Sequence, residues 1–222
     1  MGADDSILDP IDALGAALAG AWAECGVAMR PHMAGTESGE QEGQYILTML
    51  EFFYFFMHLT DRYALPILGR ADRDWLMEEL IPLSIDYVAK ILFSRFEDDY
   101  QQDVRRRLPE GVAKRDSYYA DGDMMSPEPG MKSERVWIVT MLIRNVNIKS
   151  GKPPNDPLIL REVIRVVTDQ MVALQLEKRV SGIKEAGRMR GGPAPNNHTL
   201  QRTGATEKRS WFQKLFGRAA ER

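Results

Sequence analysis

Apolar side chains recur at three- and four-residue steps along most of the first 180 or so residues, the spacing of helices that turn one face to a core. Ile7, Leu8, Ile11, Leu14, Leu18 and Trp22 predict a first helix over residues 6–29, ending near Pro31. The stretch RPHMAGTESG reads as a loop, and Ser38 with Gln41 forms a capping box for a second helix from about residue 39 to about 63, ahead of Pro66. A turn through Pro66 and Gly69 leads to Asp72 as the expected N-cap of DWLMEELIPLSIDYVAKILF. There the apolar positions Trp75, Leu76, Leu80, Leu83, Tyr87 and Ile91 again fall at three- and four-residue steps, and Pro82 is expected to kink the helix.

Beyond this the pattern weakens. FEDDYQQDVRRRL predicts a short surface helix to Leu108, and Pro109 to Lys132 reads as one loop, rich in Gly, Pro and acids and longer than most connections in compact domains. SERVWIVTMLIRNVN predicts a fourth core helix from Ser133, although the β-branched residues of WIVTMLI would also suit a buried strand. Asp156 followed by Pro157 is a strong start signal for a last helix, whose stripe of Ile159, Val163, Val166, Met171 and Leu174 extends to about Val180. With no sustained alternating pattern and no internal repeat, the expected fold class is all-α. We expect a single bundle of about five to six helices over residues 1–183, a disordered linker over 184–207 and an amphipathic basic segment over 208–222.

Composition supports one domain with an appendage: the chain has 222 residues, 44% of them hydrophobic, and four Trp to fill a core. Its charge is divided unevenly. From Lys184 to Arg222 there are nine Lys or Arg against three Glu, so this tail is +6 and the rest of the chain carries −9 of the overall −3. A basic tail on an acidic body suits a polyanion, an anionic membrane or the body's own acidic face. The single cysteine, Cys25, excludes an internal disulfide and any multi-cysteine metal site. The start, MGADDSILDP, lacks the basic and apolar regions of a secretory signal. Gly2 and Ser6 fit the loose myristoylation pattern, but Asp4 and Asp5 would be repelled by anionic lipid. The most apolar window, YILTMLEFFYFFMHL, is shorter than the roughly 20 residues of a membrane span and contains Glu51, so it reads as a buried helix. The expected location is cytoplasmic, peripheral on the inner face of the membrane.

That second helix also holds the candidate chemistry. At 100° per residue, Gln44, Thr48, Phe55, His58 and Arg62 all fall within about 60° of Glu51, making one narrow polar stripe on an otherwise apolar cylinder. The first expectation is a solvent edge or a ladder of ion pairs. The alternative is a ligand-binding or enzymatic groove with Glu51, His58, Asp61 and Arg62 as candidates. A di-iron site would need two Glu-x-x-His motifs, and none occurs. His58 and Asp61 form an i, i+3 pair without further visible ligands, so no metal is expected. Phosphate-loop, dinucleotide, nucleophile-elbow and EF-hand patterns are missing as well, so no cofactor is expected.

At the C-terminal end, Trp211, Phe212, Leu215 and Phe216 share one side of a short helix, with Lys208, Arg209, Lys214 and Arg218 among them and Ser210 placed to cap it. These eleven residues, KRSWFQKLFGR, resemble the C-terminal membrane-targeting helix of the Min-system cell-division ATPase, in which an aromatic and a basic residue precede Leu-Phe-Gly. The resemblance implies peripheral attachment to an anionic membrane surface. Full burial of each large apolar side chain is worth about 1.5–3 kcal/mol and each basic residue near anionic lipid about 1 kcal/mol. Ordering ten residues costs on the order of 10 kcal/mol, so one tail is a marginal anchor and firm attachment calls for a homo-oligomer or another contact. The same segment could dock in a protein partner's groove. Its Trp-Phe pair could also stack on single-stranded nucleic acid, but the acidic body argues against that partner. The expectation is therefore a non-enzymatic helical adaptor or regulatory protein tethered by its C-terminal segment to a membrane surface or larger assembly.

Overall fold

The computed structural model describes residues 9–33, 38–124, 134–153 and 156–186, all within the first of the chain's two units, Met1–Arg188. Seven α-helices account for most of them: α1 (Pro10–Met29), α2 (Ser38–Leu68), α3 (Arg70–Leu92), α4 (Asp98–Met124), α5 (Glu134–Lys149), α6 (Pro157–Leu174) and α7 (Leu176–Glu185). A single 3-10 turn, Arg30–His32, follows α1. Among the described residues there is no strand, and WIVTMLI lies wholly in α5. The all-α bundle expected from the sequence is the fold.

The bundle is organised around α2, which packs on α1, α3, α4, α5 and α7. Its Phe52, Phe53, Phe55, Phe56 and Met57 are all buried, and Trp22 of α1 meets Phe53 edge to face at 6.3 Å. Helix α1 is apolar enough to cross a bilayer by length and composition when taken with its 3-10 turn, but half of that window is buried inside the bundle. Glycines set how closely several helices approach, Gly15 of α1 against Leu83 of α3 among them. A side chain at Gly26 would collide with Met49 of α2, and one at Gly111 of α4 would place its Cβ 2.6 Å from the Tyr54 hydroxyl.

Helix ends follow their caps, with corrections. Asp9 accepts from the Ile11 amide at 3.0 Å to start α1. Asp156 accepts from the amides of Leu158 and Ile159 to start α6, with Pro157 at the first position as expected. Helix α2 continues through Pro66 to Leu68, five residues past its expected end. Gly69 alone then separates it from α3, at φ 81°, a left-handed conformation that glycine adopts without steric cost. The N-cap of α3 is thus Gly69 and not Asp72, which sits in the first turn, and α3 runs unbroken past Pro82. The last predicted helix is two: Gln175 turns left-handed at φ 46° and α7 folds back on α2, where the Lys184 ammonium donates to the Ile67 carbonyl at 2.8 Å. Helical structure therefore reaches Glu185, beyond the expected boundary at 183.

The largest correction concerns Pro109 to Lys132, read as loop. Helix α4 continues through Pro109 and Gly111 to Met124. Proline inside a helix loses one backbone hydrogen bond and strains the preceding turn. Burial of Leu108, Val112 and Tyr119 on the bundle offsets that loss. The remainder of the expected loop and the 3-10-to-α2 connection at residues 34–37, which includes the surroundings of the expected Ser38 cap, lie outside the described residues.

Candidate functional site

The middle of the polar stripe of α2 faces inward and is paired with other helices, closer to the expected ion pairs than to a solvent edge, while Arg62 at its end is exposed. Glu51 is 1% exposed and His58 2%, and Thr48 and Asp61 are buried as well. Helices α4 and α5 cover Glu51, α4 covers His58 and α3 reaches Asp61, and the covering half of α4 is the part whose helical nature the sequence concealed.

Glu51 lies deepest. Its Oε1 accepts from the Tyr119 hydroxyl at 2.7 Å and from the Asn145 side-chain amide at 2.8 Å, while Oε2 faces the Arg115 guanidinium at 3.2 Å. A carboxylate moved from water into a protein interior loses solvation worth several kcal/mol, and three donors from two helices are the kind of environment in which it persists. Burial, and after it the nearby Glu51 charge, pushes the Tyr119 phenol well above its ordinary range, so it stays a donor. Tyr119 also sets its ring edge-on to Phe55 at 6.1 Å and 5.3 Å from the His58 ring, tying both sides of the stripe to one aromatic contact.

Two turns further along α2, His58 Nδ1 donates to the Asp116 carboxylate at 2.7 Å. That hydrogen bond, helped by the charges of Arg73 and Arg62, holds Asp116 below the usual aspartate range against the opposing effect of burial. Asp61 pairs with Arg73 from the first turn of α3, and Arg73 also binds Asp74 at 2.6 Å. The pairing with Asp61 foremost raises the guanidinium's affinity for its proton further above an already high value.

These last groups border an open cleft of about 200 Å³ at the junction of α2, α3 and α4. His58, Asp61 and Arg62 line it from α2, Arg70 and Arg73 from α3, and Asp116 from α4, with Leu65 as the apolar wall. Of the four candidates named from the sequence, the structure brings His58, Asp61 and Arg62 together at this cleft. Glu51 is not among its lining and is enclosed between helices instead.

Sequence reasoning missed Arg115, Asp116 and Tyr119 because it placed them in a loop. Leu108, Val112, Arg115 and Tyr119 follow four-, three- and four-residue steps, a helical signal that Pro109 and Gly111 overrode. Nothing in the sequence pattern distinguishes Asn145 in α5 or Arg70 and Arg73 in α3. The tail candidates Lys208, Arg209, Trp211, Phe212, Lys214, Leu215, Phe216 and Arg218 lie outside the described residues.

Comparison with protein-family models, with curated proteins and with solved structures gave no match to this chain. The functional reading accordingly rests on the residues themselves.

Proposed function

We propose that this chain is a non-enzymatic helical adaptor or regulatory protein, tethered by its basic amphipathic segment, residues 208–222, to an anionic membrane surface or a larger assembly. The observation that carries the non-catalytic part is the engagement of Glu51. The most buried carboxylate of the polar stripe has both oxygens occupied by Tyr119, Asn145 and Arg115, which fasten α2 to α4 and α5. Attachment is supported by the division of charge between a +6 tail and a −9 body and by the spacing of Trp211, Phe212, Leu215 and Phe216, which suits one side of a short helix. Co-sedimentation with anionic liposomes, comparing the full chain with a 1–207 truncation, tests the membrane version. Loss of sedimentation on truncation is the expected result, and equal sedimentation of both ends it; a pull-down with the same pair then addresses a protein assembly.

The second reading, a ligand-binding or enzymatic bundle with a Glu51/His58/Arg62 groove, draws support from one observation. His58, Asp61 and Arg62 share the cleft with residues of two other helices. In that reading Glu51 supports the wall from behind and does not meet the ligand.

A further inference from the structure

Helix α4 is weakest at its middle. Pro109 has no amide hydrogen to give the carbonyl four residues back, and Gly111 follows within the same turn, so two residues that disfavour a helix interior fall together. The helix is held differently on either side of them. The half before Pro109 is tied to α3 and to the turn ahead of α4: Arg105 pairs with Asp86 at 2.9 Å, and Tyr100 stacks on Phe96 at 5.0 Å.

Beyond Gly111 few apolar side chains hold α4 to the bundle. Between residues 112 and 119 only Val112 and Tyr119 are buried, whereas α2 buries Phe52, Phe53, Phe55, Phe56 and Met57 almost in succession. The other attachments are polar: Tyr119 and Arg115 to Glu51, and Asp116 to His58. Separating an apolar contact exposes surface to water with nothing gained in return. Separating these pairs restores water to Glu51, a carboxylate that gave up several kcal/mol of solvation on burial, so much of what the pairing contributes is recovered. A segment with few buried apolar contacts and recoverable polar ones is the kind that opens by itself, ahead of global unfolding.

We propose that the half of α4 beyond Gly111 is a strap that swings off α2 about Pro109 while the rest of the bundle stays folded. The swing uncovers Glu51 and His58, and Asn145 of α5 keeps one hydrogen bond to Glu51 in the opened form. The polar stripe of α2 is then a surface the protein can show or hide, independently of the tail.

The test is hydrogen exchange by mass spectrometry on the full-length wild-type chain. After correction for sequence, amides of residues 112–119 should exchange roughly a hundredfold faster than those of residues 52–57 in α2. Urea well below the unfolding transition should change their rate little, because opening a strap exposes far less surface than unfolding does. Cys25, buried in α1, reports global opening in the same samples: its labelling by a thiol reagent should be slow and rise steeply with urea. Pro109→Ala restores a backbone donor at the hinge and should slow exchange over residues 112–119 by about tenfold, with a Tm no lower than wild type. Exchange over residues 112–119 no faster than over 52–57, or with the urea dependence of Cys25 labelling, would overturn the proposal. So would equal exchange on both sides of Pro109, or exchange over residues 112–119 that is as fast in Pro109→Ala as in wild type.

Discussion

Replacing Tyr119 by Phe removes one oxygen from the bundle interior and leaves the ring contacts with Phe55 and His58 in place. The hydroxyl donates to the carboxylate of Glu51 at 2.7 Å, in a site where both residues are essentially inaccessible to water. Hydrogen bonds to charged groups contribute about 1.5–3 kcal/mol, and in the variant Glu51 keeps only Asn145 and Arg115 as donors. We expect a loss of about 1.5–3 kcal/mol in urea unfolding followed by tryptophan fluorescence, or roughly 3–12 °C in Tm for a body of this size. Glu51→Gln should also destabilise, since it removes the charge that Arg115 and Tyr119 face. In the double variant the two losses should fall short of additivity, with a coupling of at least about 1 kcal/mol, because both act on one contact. A Tyr119→Phe protein within about 0.5 kcal/mol of wild type, or strictly additive losses, would refute the view that this network fastens α4 to α2.

Three further outcomes follow from particular residues. On α1, Gly26→Ala should destabilise by about 1–3 kcal/mol because the added methyl collides with Met49, whereas Gly20→Ala, which meets nothing within 4 Å, should stabilise by about 0.5–1 kcal/mol; thermal melts of the pair should differ in sign. Pro109→Ala should raise stability by one to a few kcal/mol, by about the strain that an interior proline costs a helix, and no gain on melting would argue that α4 is not continuous there. Asp116 has its folded pKa depressed by His58, so its contribution is fully present above the ordinary aspartate value of 3.8 and is lost as pH falls through the lower folded value. Asp116→Asn should therefore be less stable than wild type near neutrality, with the gap narrowing below about pH 4; a gap that stays constant down to pH 2 in circular dichroism melts would contradict this.

How far the sequence disclosed this architecture depended on how periodicity and punctuation agreed. Where they coincided, as at Asp156-Pro157, the helix starts where the pattern placed it, whereas α1, expected from residue 6, begins at Pro10 behind its Asp9 cap. Where they conflicted, punctuation misled: Pro66 does not end α2, and Pro109 with Gly111 does not end α4, because buried Leu68, Val112 and Tyr119 reward continuation more than the local signals discourage it. The reverse happened at Gln175, where an unbroken apolar stripe hid a left-handed residue that lets α7 return to α2. For the site, the helical wheel correctly grouped Glu51, His58 and Arg62, but a wheel reports direction around one helix and not what lies opposite. The inward orientation depended on Tyr119 and Asn145, 68 and 94 residues away from Glu51, a separation no local pattern can span.

Around Glu51 the surface of α2 is lined with rings, Phe52, Phe53, Phe55 and Phe56, which present similar shapes on two adjacent turns. Greasy contacts of that sort tolerate a neighbour that slides lengthwise by one helical turn, about 5.4 Å. A buried carboxylate does not. Sliding α2 by one turn would carry Glu51 away from Tyr119, Asn145 and Arg115 together and leave an uncompensated charge in the interior, at about 3–5 kcal/mol. Glu51 therefore works like the key in a shaft, fixing where α2 stands along its own axis and, with it, where His58 and Arg62 open onto the cleft.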